Sequence, residues 1–133
     1  MLLQGKKAIV TGGTRGIGFA VVQTFLRNGA SVALFGSRQE TVDKAMAALK
    51  EENPDWEVIG MAPDLSDYAA VDAAFAEVEK AFGRIDILVN NAGISAREPL
   101  YDYTPEAFEK IMRLNVSAVF NGCRAAAPRM KAQ

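Results

Sequence analysis

The sequence has no histidine and a single cysteine, Cys123, among 133 residues. Without histidine there is no Ser–His–Asp or Cys–His catalysis in this stretch, and the usual zinc enzymes lose their commonest ligand. One cysteine permits neither an intrachain disulfide nor a cysteine-rich zinc site, so no metal and a reducing, cytoplasmic setting are expected. Acid–base work falls to Asp, Glu, Lys or Tyr. No apolar run approaches the length of a membrane span. The opening Met1-Leu2-Leu3-Gln4-Gly5 lacks the charged and then apolar pattern of a secretory signal. Fifteen basic residues face 16 acidic ones, a net charge of −1 that offers no basic face to nucleic acid. What is present is a globular composition, 50% hydrophobic and 23% charged, of a size suited to one domain, residues 1–133.

Short apolar runs alternate with longer stretches of helical period, and no repeat or linker interrupts them. Ala8 to Val10, Ala30 to Phe35, Glu57 to Ala62 and Ile85 to Val89 read as strands. Val21 and Phe25 mark a first helix, Val42, Ala45 and Leu49 a second, and Val71, Phe75, Val78 and Phe82 a third. Gly29 and Gly83 stand where helix-ending glycines belong. A long last helix opens with Thr104 as N-cap and Pro105 in its first position. Near-continuous apolar strands joined by helices predict parallel strands covered on both faces. With right-handed crossovers the expectation is an α/β, Rossmann-like, doubly wound sheet, of which the first four strands are present in the order 3-2-1-4.

Directly after the first strand comes Thr11-Gly12-Gly13-Thr14-Arg15-Gly16-Ile17-Gly18, followed at once by a helix. A backbone that turns tightly, approaches a pyrophosphate and packs a helix on a strand needs glycines here. The free N–H groups of the helix N-terminus then receive the phosphate charge. The same glycines would also serve a tight strand–helix turn with no ligand. A P-loop is excluded by the missing Gly-Lys-Ser/Thr ending. A methyltransferase, which also carries a glycine loop after its first strand, is the better rival.

An NAD site places an acid at the end of the second strand for the ribose hydroxyls. Here the chain reads Phe35-Gly36-Ser37-Arg38. A hydroxyl and a guanidinium suit a 2′-phosphate, and Arg15 in the glycine loop adds a second cation. NADP(H) is therefore favoured over NAD(H), and the missing acid also counts against a methyltransferase. Ser37 and Glu40 equally form an S-x-x-E capping box, in which Ser37 starts the helix and Arg38 is an exposed first-turn residue. Asp64-Leu65 after the third strand can meet an adenine edge, or Asp64 can simply turn the chain. Asn90-Asn91-Ala92-Gly93 after the fourth strand suits a backbone lying under a dinucleotide, or an Asn-rich turn. Asn115 shares a helical stripe with Phe108, Ile111, Met112 and Val119, which makes it either a satisfied core amide or part of a functional water network.

Taken together, T-G-G-T-R-G-I-G, Asp64-Leu65, N-N-A-G and the L-N-V of Leu114 to Val116 resemble the classical short-chain dehydrogenases/reductases, from the first strand to the last residue. The resemblance implies that Gly12, Gly13, Thr14, Arg15, Gly16, Ile17 and Gly18 hold a pyrophosphate and that Asp64 and Leu65 flank the adenine. It implies that Asn91, Ala92 and Gly93 line the nicotinamide-ribose side. Asn115 is similar to the family's fourth catalytic residue, which helps hold a proton-relay water beside the catalytic lysine. Within the family, G-G-T-R-G-I-G-F-A, the Phe35-Gly36 before Ser37, Ala62-Pro63-Asp64-Leu65 and Val119-Phe120-Asn121-Gly122 resemble bacterial 3α-hydroxysteroid dehydrogenases. The 3-oxoacyl carrier-protein reductases are nearly as similar. Hydroxysteroid enzymes that use NAD carry an acid after the Phe-Gly pair, where this chain has Ser37-Arg38.

The family's chemistry uses a serine on the next strand and a Tyr-x-x-x-Lys pair on the next helix. No Tyr-x-x-x-Lys occurs here: Tyr68, Tyr101 and Tyr103 lie in other contexts. The expectation is therefore the nucleotide half of an alcohol–ketone oxidoreductase, cut before the fifth strand and inactive by itself. Its partners would be the dinucleotide, a small carbonyl or alcohol substrate in the whole enzyme, and further copies of the chain through an open sheet edge or the long helix. A short non-catalytic nucleotide- or partner-binding protein is the reading from another class.

Overall fold

Alternation of apolar side chains along the two central strands builds two cores, one on each face of a parallel sheet. The computed structural model describes residues 1–133. β1 (Lys7–Thr11), β2 (Ser31–Phe35), β3 (Val58–Met61) and β4 (Ile87–Val89) form one four-stranded sheet in the order β3-β2-β1-β4. All pairings are parallel, with Ile9 opposite Ala33 and Leu88, and Ala33 opposite Ile59. This is the expected 3-2-1-4 sheet. Ala8, Val10, Val32 and Leu34 point to the side of α1 (Gly16–Arg27) and α2 (Gln39–Glu52), where they meet Val22, Leu26, Val42 and Leu49. Ile9, Ala33 and Phe35 point to the other side, toward Val71, Phe75 and Val78 of α3 (Tyr68–Phe82) and Ala125 and Ala126 of α5 (Ala118–Ala132). Phe35 and Phe75 meet edge-on, with ring centroids 6.0 Å apart.

Local signals account for several helix ends. Gly29 (φ +91°) and Gly83 (φ +83°) adopt the left-handed conformation that glycine enters at little cost. The Thr104 hydroxyl accepts the Ala107 N–H at 3.1 Å, and Pro105 follows as the first residue of α4 (Pro105–Met112). Val21 and Phe25 lie in α1 as expected, half-buried on the flank of the core that Val22 and Leu26 fill. Two expectations need correction. The last helix is interrupted by a π turn, Arg113–Ser117, between α4 and α5. The Ser37–Glu40 capping box does not form. Arg38 is the N-cap and Glu40 therefore N2, one position short of the reach a capping box requires.

The stripe of Phe108, Ile111, Met112 and Val119 does not face the core. Phe108 is 57% exposed, and together with Met112, Val116 and Phe120 it marks an apolar ridge open to solvent. Amphipathic spacing identifies which face of a helix is apolar and leaves open what covers it. α5, by contrast, packs on α3, where Arg129 bridges Asp72 at 2.8 Å and Glu79 at 3.6 Å.

At the N-terminal end of the strands the polar groups form a network. Lys7 Nζ donates to Ser31 Oγ at 2.8 Å and pairs with Glu57 at 3.2 Å. Its backbone N–H donates to Asp86 at 2.9 Å, and Arg84 Nε donates to the same carboxylate at 2.7 Å. The Ser31 hydroxyl, and then Lys7, hold Glu57 below the ordinary carboxylate range. Burial pushes Asp86 up, but the bonds from Lys7 and Arg84 and the nearby cations outweigh it, and its net displacement is downward. Both groups therefore contribute stability in full above their ordinary values of 4.5 and 3.8, and lose it as pH falls through the depressed folded values. Urea midpoints should accordingly hold steady from pH 7 to pH 5 and decline below about pH 4.5, with a shallower decline in D86N. An unchanged acid limb in D86N would dismiss that contribution.

Candidate functional site

The C-terminal ends of all four strands open on one side of the sheet, and the sequence-marked residues gather there. After β1 the chain turns through Gly12 (φ +64°) and Gly16 (φ +57°), both left-handed. Gly13 passes under the loop, its N–H donating to the Phe35 carbonyl at 3.1 Å. Gly18 lies in the first turn of α1, where a Cβ would stand 1.9 Å from the Gly12 carbonyl oxygen and 2.5 Å from Asn91 Nδ2. Only a hydrogen fits. Arg15 precedes α1 in extended conformation, and no side chain caps that helix. Its first N–H groups are thus free to receive an anion.

The loop is stitched to the end of β4. Thr11 Oγ1, on a residue only 4% exposed, accepts the N–H groups of Asn91 and Ala92, each at 3.0 Å. The Asn91 amide donates to the Gly12 carbonyl at 3.1 Å. Further along, Asn115 grips the Ile94 peptide at both ends: Oδ1 accepts its N–H at 2.8 Å, and Nδ2 donates to its carbonyl at 2.8 Å. Asn115 lies within the π turn and is exposed, so its amide is satisfied by the loop backbone and not by a core. π turns of this kind are frequent where a helix serves a site. Tyr103 pins the same loop, its hydroxyl donating to the Ala96 carbonyl at 2.8 Å.

These segments enclose a cavity of about 610 Å³. Gly12, Thr14, Arg15, Gly16 and Ile17 line it on one side, Ser37 at the end of β2, Asp64 and Leu65 after β3, and Asn91, Ala92 and Gly93 after β4. Gly13, Gly18 and Asn115 do not line it, and Arg38 lines an adjoining cavity of about 630 Å³ that shares Thr14, Arg15 and Ser37 with the first. The Asp64 carboxylate accepts from the Ser66 hydroxyl at 2.6 Å and the Ser66 N–H at 3.0 Å. Those bonds hold it below its ordinary value. The acid both turns the chain and lines the cavity.

The structure adds residues that motif spacing did not reveal. Asn121, 7% exposed on α5, donates to the Leu65 carbonyl at 2.9 Å and sets that peptide. Its signals were its place in Val119-Phe120-Asn121-Gly122 and a polar side chain among the buried alanines and glycine of α5. Gly122 admits Asn90, since a Cβ there would come within 2.7 Å of Asn90 Oδ1. Phe19, Thr41 and Lys44 line the second cavity.

A glycine loop at the C-terminal end of a parallel 3-2-1-4 sheet is thus tied to an N-N-A-G turn. The profile of the short chain dehydrogenase family matches residues 6–133, and the chain belongs to that family. It is 59% identical, over its whole length and 53% of the relative's, to a 3alpha-hydroxysteroid dehydrogenase of Mediterraneibacter gnavus. It is 38% identical to the NADP-dependent (R)-specific alcohol dehydrogenase of Lentilactobacillus kefiri, over 97% of this chain and 50% of that one. Among solved structures, a short-chain dehydrogenase/reductase of Burkholderia phymatum in complex with NAD superposes with a TM-score of 0.93 at 29% identity, over all of this chain and 47% of the other. The chain thus spans about half the length of the curated relatives it matches. The expected likeness to hydroxysteroid dehydrogenases holds. No helix is long and apolar enough to cross a membrane.

Proposed function

We propose that this chain is the nucleotide-binding half of an NADP(H)-dependent short-chain oxidoreductase that interconverts a secondary alcohol and a ketone, of hydroxysteroid type in the whole enzyme. The observation that carries the cofactor reading is the end of β2. Ser37 lies between the two cavities, Arg15 and Arg38 line the second, and no carboxylate lines that cavity. An acid there would repel a 2′-phosphate, whereas a guanidinium pairs with it through charge-assisted hydrogen bonds.

The residues fit a dinucleotide. The uncapped start of α1 and the close-packed Gly12 and Gly18 admit a pyrophosphate against bare backbone. Asp64 and Leu65 would flank the adenine, and Asn91, Ala92 and Gly93 the nicotinamide ribose. The bound cofactor supplies a hydride acceptor or donor. Around it, this chain's own residues bind and orient: Thr11 holds the β4 turn, and Asn115 holds Ile94 where a substrate would enter. Tyr-x-x-x-Lys, which the family uses for the proton, has no counterpart among these residues. We therefore read the 133-residue chain as binding nucleotide without turnover. The open edge of β4 and the exposed ridge of α4 and α5 support self-association, and the composition supports a cytoplasmic setting.

The relatives are compatible with either cofactor, since one is named NADP-dependent and a structural neighbour was solved with NAD. The choice therefore lies in Ser37 and its neighbours. In S37D the ratio of NADPH to NADH affinity, read by nucleotide fluorescence, should drop at least about tenfold, because one repulsive contact replaces one attractive one. An unchanged ratio would remove Ser37 from the 2′-phosphate site.

A further inference from the structure

The second cavity is more cationic than Arg15 and Arg38 alone make it. Besides Arg15 and Arg38 it is lined by Lys44, in the second turn of α2, and by three hydroxyl side chains, Thr14, Ser37 and Thr41. None of the three cations makes an ion pair, although Lys7, Arg27, Arg84 and Arg129 all do. Three like charges around one concave surface repel one another, and an anion placed among them relieves that repulsion.

The helix geometry directs Lys44 into this space. Thr41, Lys44, Ala45 and Ala48 recur at helical spacing along the face of α2 that lines the cavity. The two alanines leave room beside the lysine stem, and Phe19 of α1 closes the opposite wall. Thr41 does not serve as a donor to a ligand, because its hydroxyl donates to the Arg38 carbonyl at 3.0 Å. That bond instead fixes the peptide that carries Arg38. Lys44 is then the donor from the body of α2.

We infer that Lys44 is a specificity-determining residue, a third cation that reads the 2′-phosphate of the cofactor from the second turn of α2. The inference rests on the NADP(H) reading and extends it. Lys44 keeps three donors on a flexible stem, so it reaches the phosphate as a point charge, beside guanidinium groups that pair in a fixed plane.

The test compares 2′,5′-ADP with 5′-AMP, which differ only by the 2′-phosphate, in calorimetric titrations of the whole chain. The wild type should prefer 2′,5′-ADP. K44Q should lose about three- to fivefold of that preference, as expected for one partly exposed charge pair, with 5′-AMP binding unchanged. K44R should retain the preference. K50Q, on the same helix but away from the cavity, should match the wild type. K44Q with the wild-type ratio, or K50Q losing as much as K44Q, would overturn the role of Lys44 and leave the NADP(H) reading intact. A wild type with no preference for 2′,5′-ADP would overturn both.

Discussion

Replacing Gly18 by alanine should abolish useful nucleotide binding, lowering affinity about 100-fold, and should destabilise the chain by about 3 kcal/mol, the upper range for overpacking. The added methyl would stand 1.9 Å from the Gly12 carbonyl oxygen and 2.5 Å from Asn91 Nδ2. Neither neighbour is the free end of a flexible side chain. The carbonyl belongs to the turn itself, and the Asn91 amide is held by its bond to that same carbonyl. The loop must therefore move away from α1, carrying with it the N–H groups that face the cavity. Gly16 provides the internal comparison. A Cβ there meets nothing within 4 Å, and only the left-handed backbone, φ +57°, opposes it. G16A should cost about 1 kcal/mol, the penalty of one left-handed residue with a side chain. Urea unfolding and nucleotide titration of the two variants separate clash from backbone preference. Equal behaviour of G18A and G16A would mean that close packing beneath the loop does not control it.

Thr11→Val, although nearly isosteric, should cost about 2–4 kcal/mol. The hydroxyl oxygen receives two backbone N–H groups, from Asn91 and Ala92, and its proton points to the Val89 carbonyl at 3.4 Å. Valine keeps the shape and removes every partner, leaving two donors unsatisfied beside a side chain that is almost fully buried. Thr11→Ser keeps the oxygen and should recover most of the loss. Denaturant midpoints measure both. A valine variant within about 0.5 kcal/mol of the wild type would show that water replaces the hydroxyl, contrary to this account.

What was legible in the sequence was mainly local. Alternating Ala8, Ile9, Val10 and Val32, Ala33, Leu34 announced strands buried on both faces, and the sheet order followed from parallel crossovers. Thr104 with Pro105 marked a helix start because both signals act within one turn. Ser37 with Glu40 looked equally local and misled. Thr41 bonds back to the Arg38 carbonyl, the helix begins one residue later, and the box loses its spacing. The apolar ridge from Phe108 to Phe120 was visible as a pattern, but its exposure depends on what else packs there. Thr11 and Asn121 escaped as determinants because their roles arise from contacts between distant segments. Thr11 meets Asn91 across 80 positions, and Asn121 meets Leu65 across 56. Such partners exist only once the sheet has set β1 beside β4 and α5 has come against the chain that follows β3.

Selection of a 2′-phosphate by this cavity is tested by calorimetric titration of the chain with NADPH and with NADH under one buffer and salt condition. Both nucleotides should bind, NADPH more tightly by about tenfold or more, as charge-assisted hydrogen bonds from two arginines require. Tighter binding of NADH, or no binding of either nucleotide, would contradict that selection.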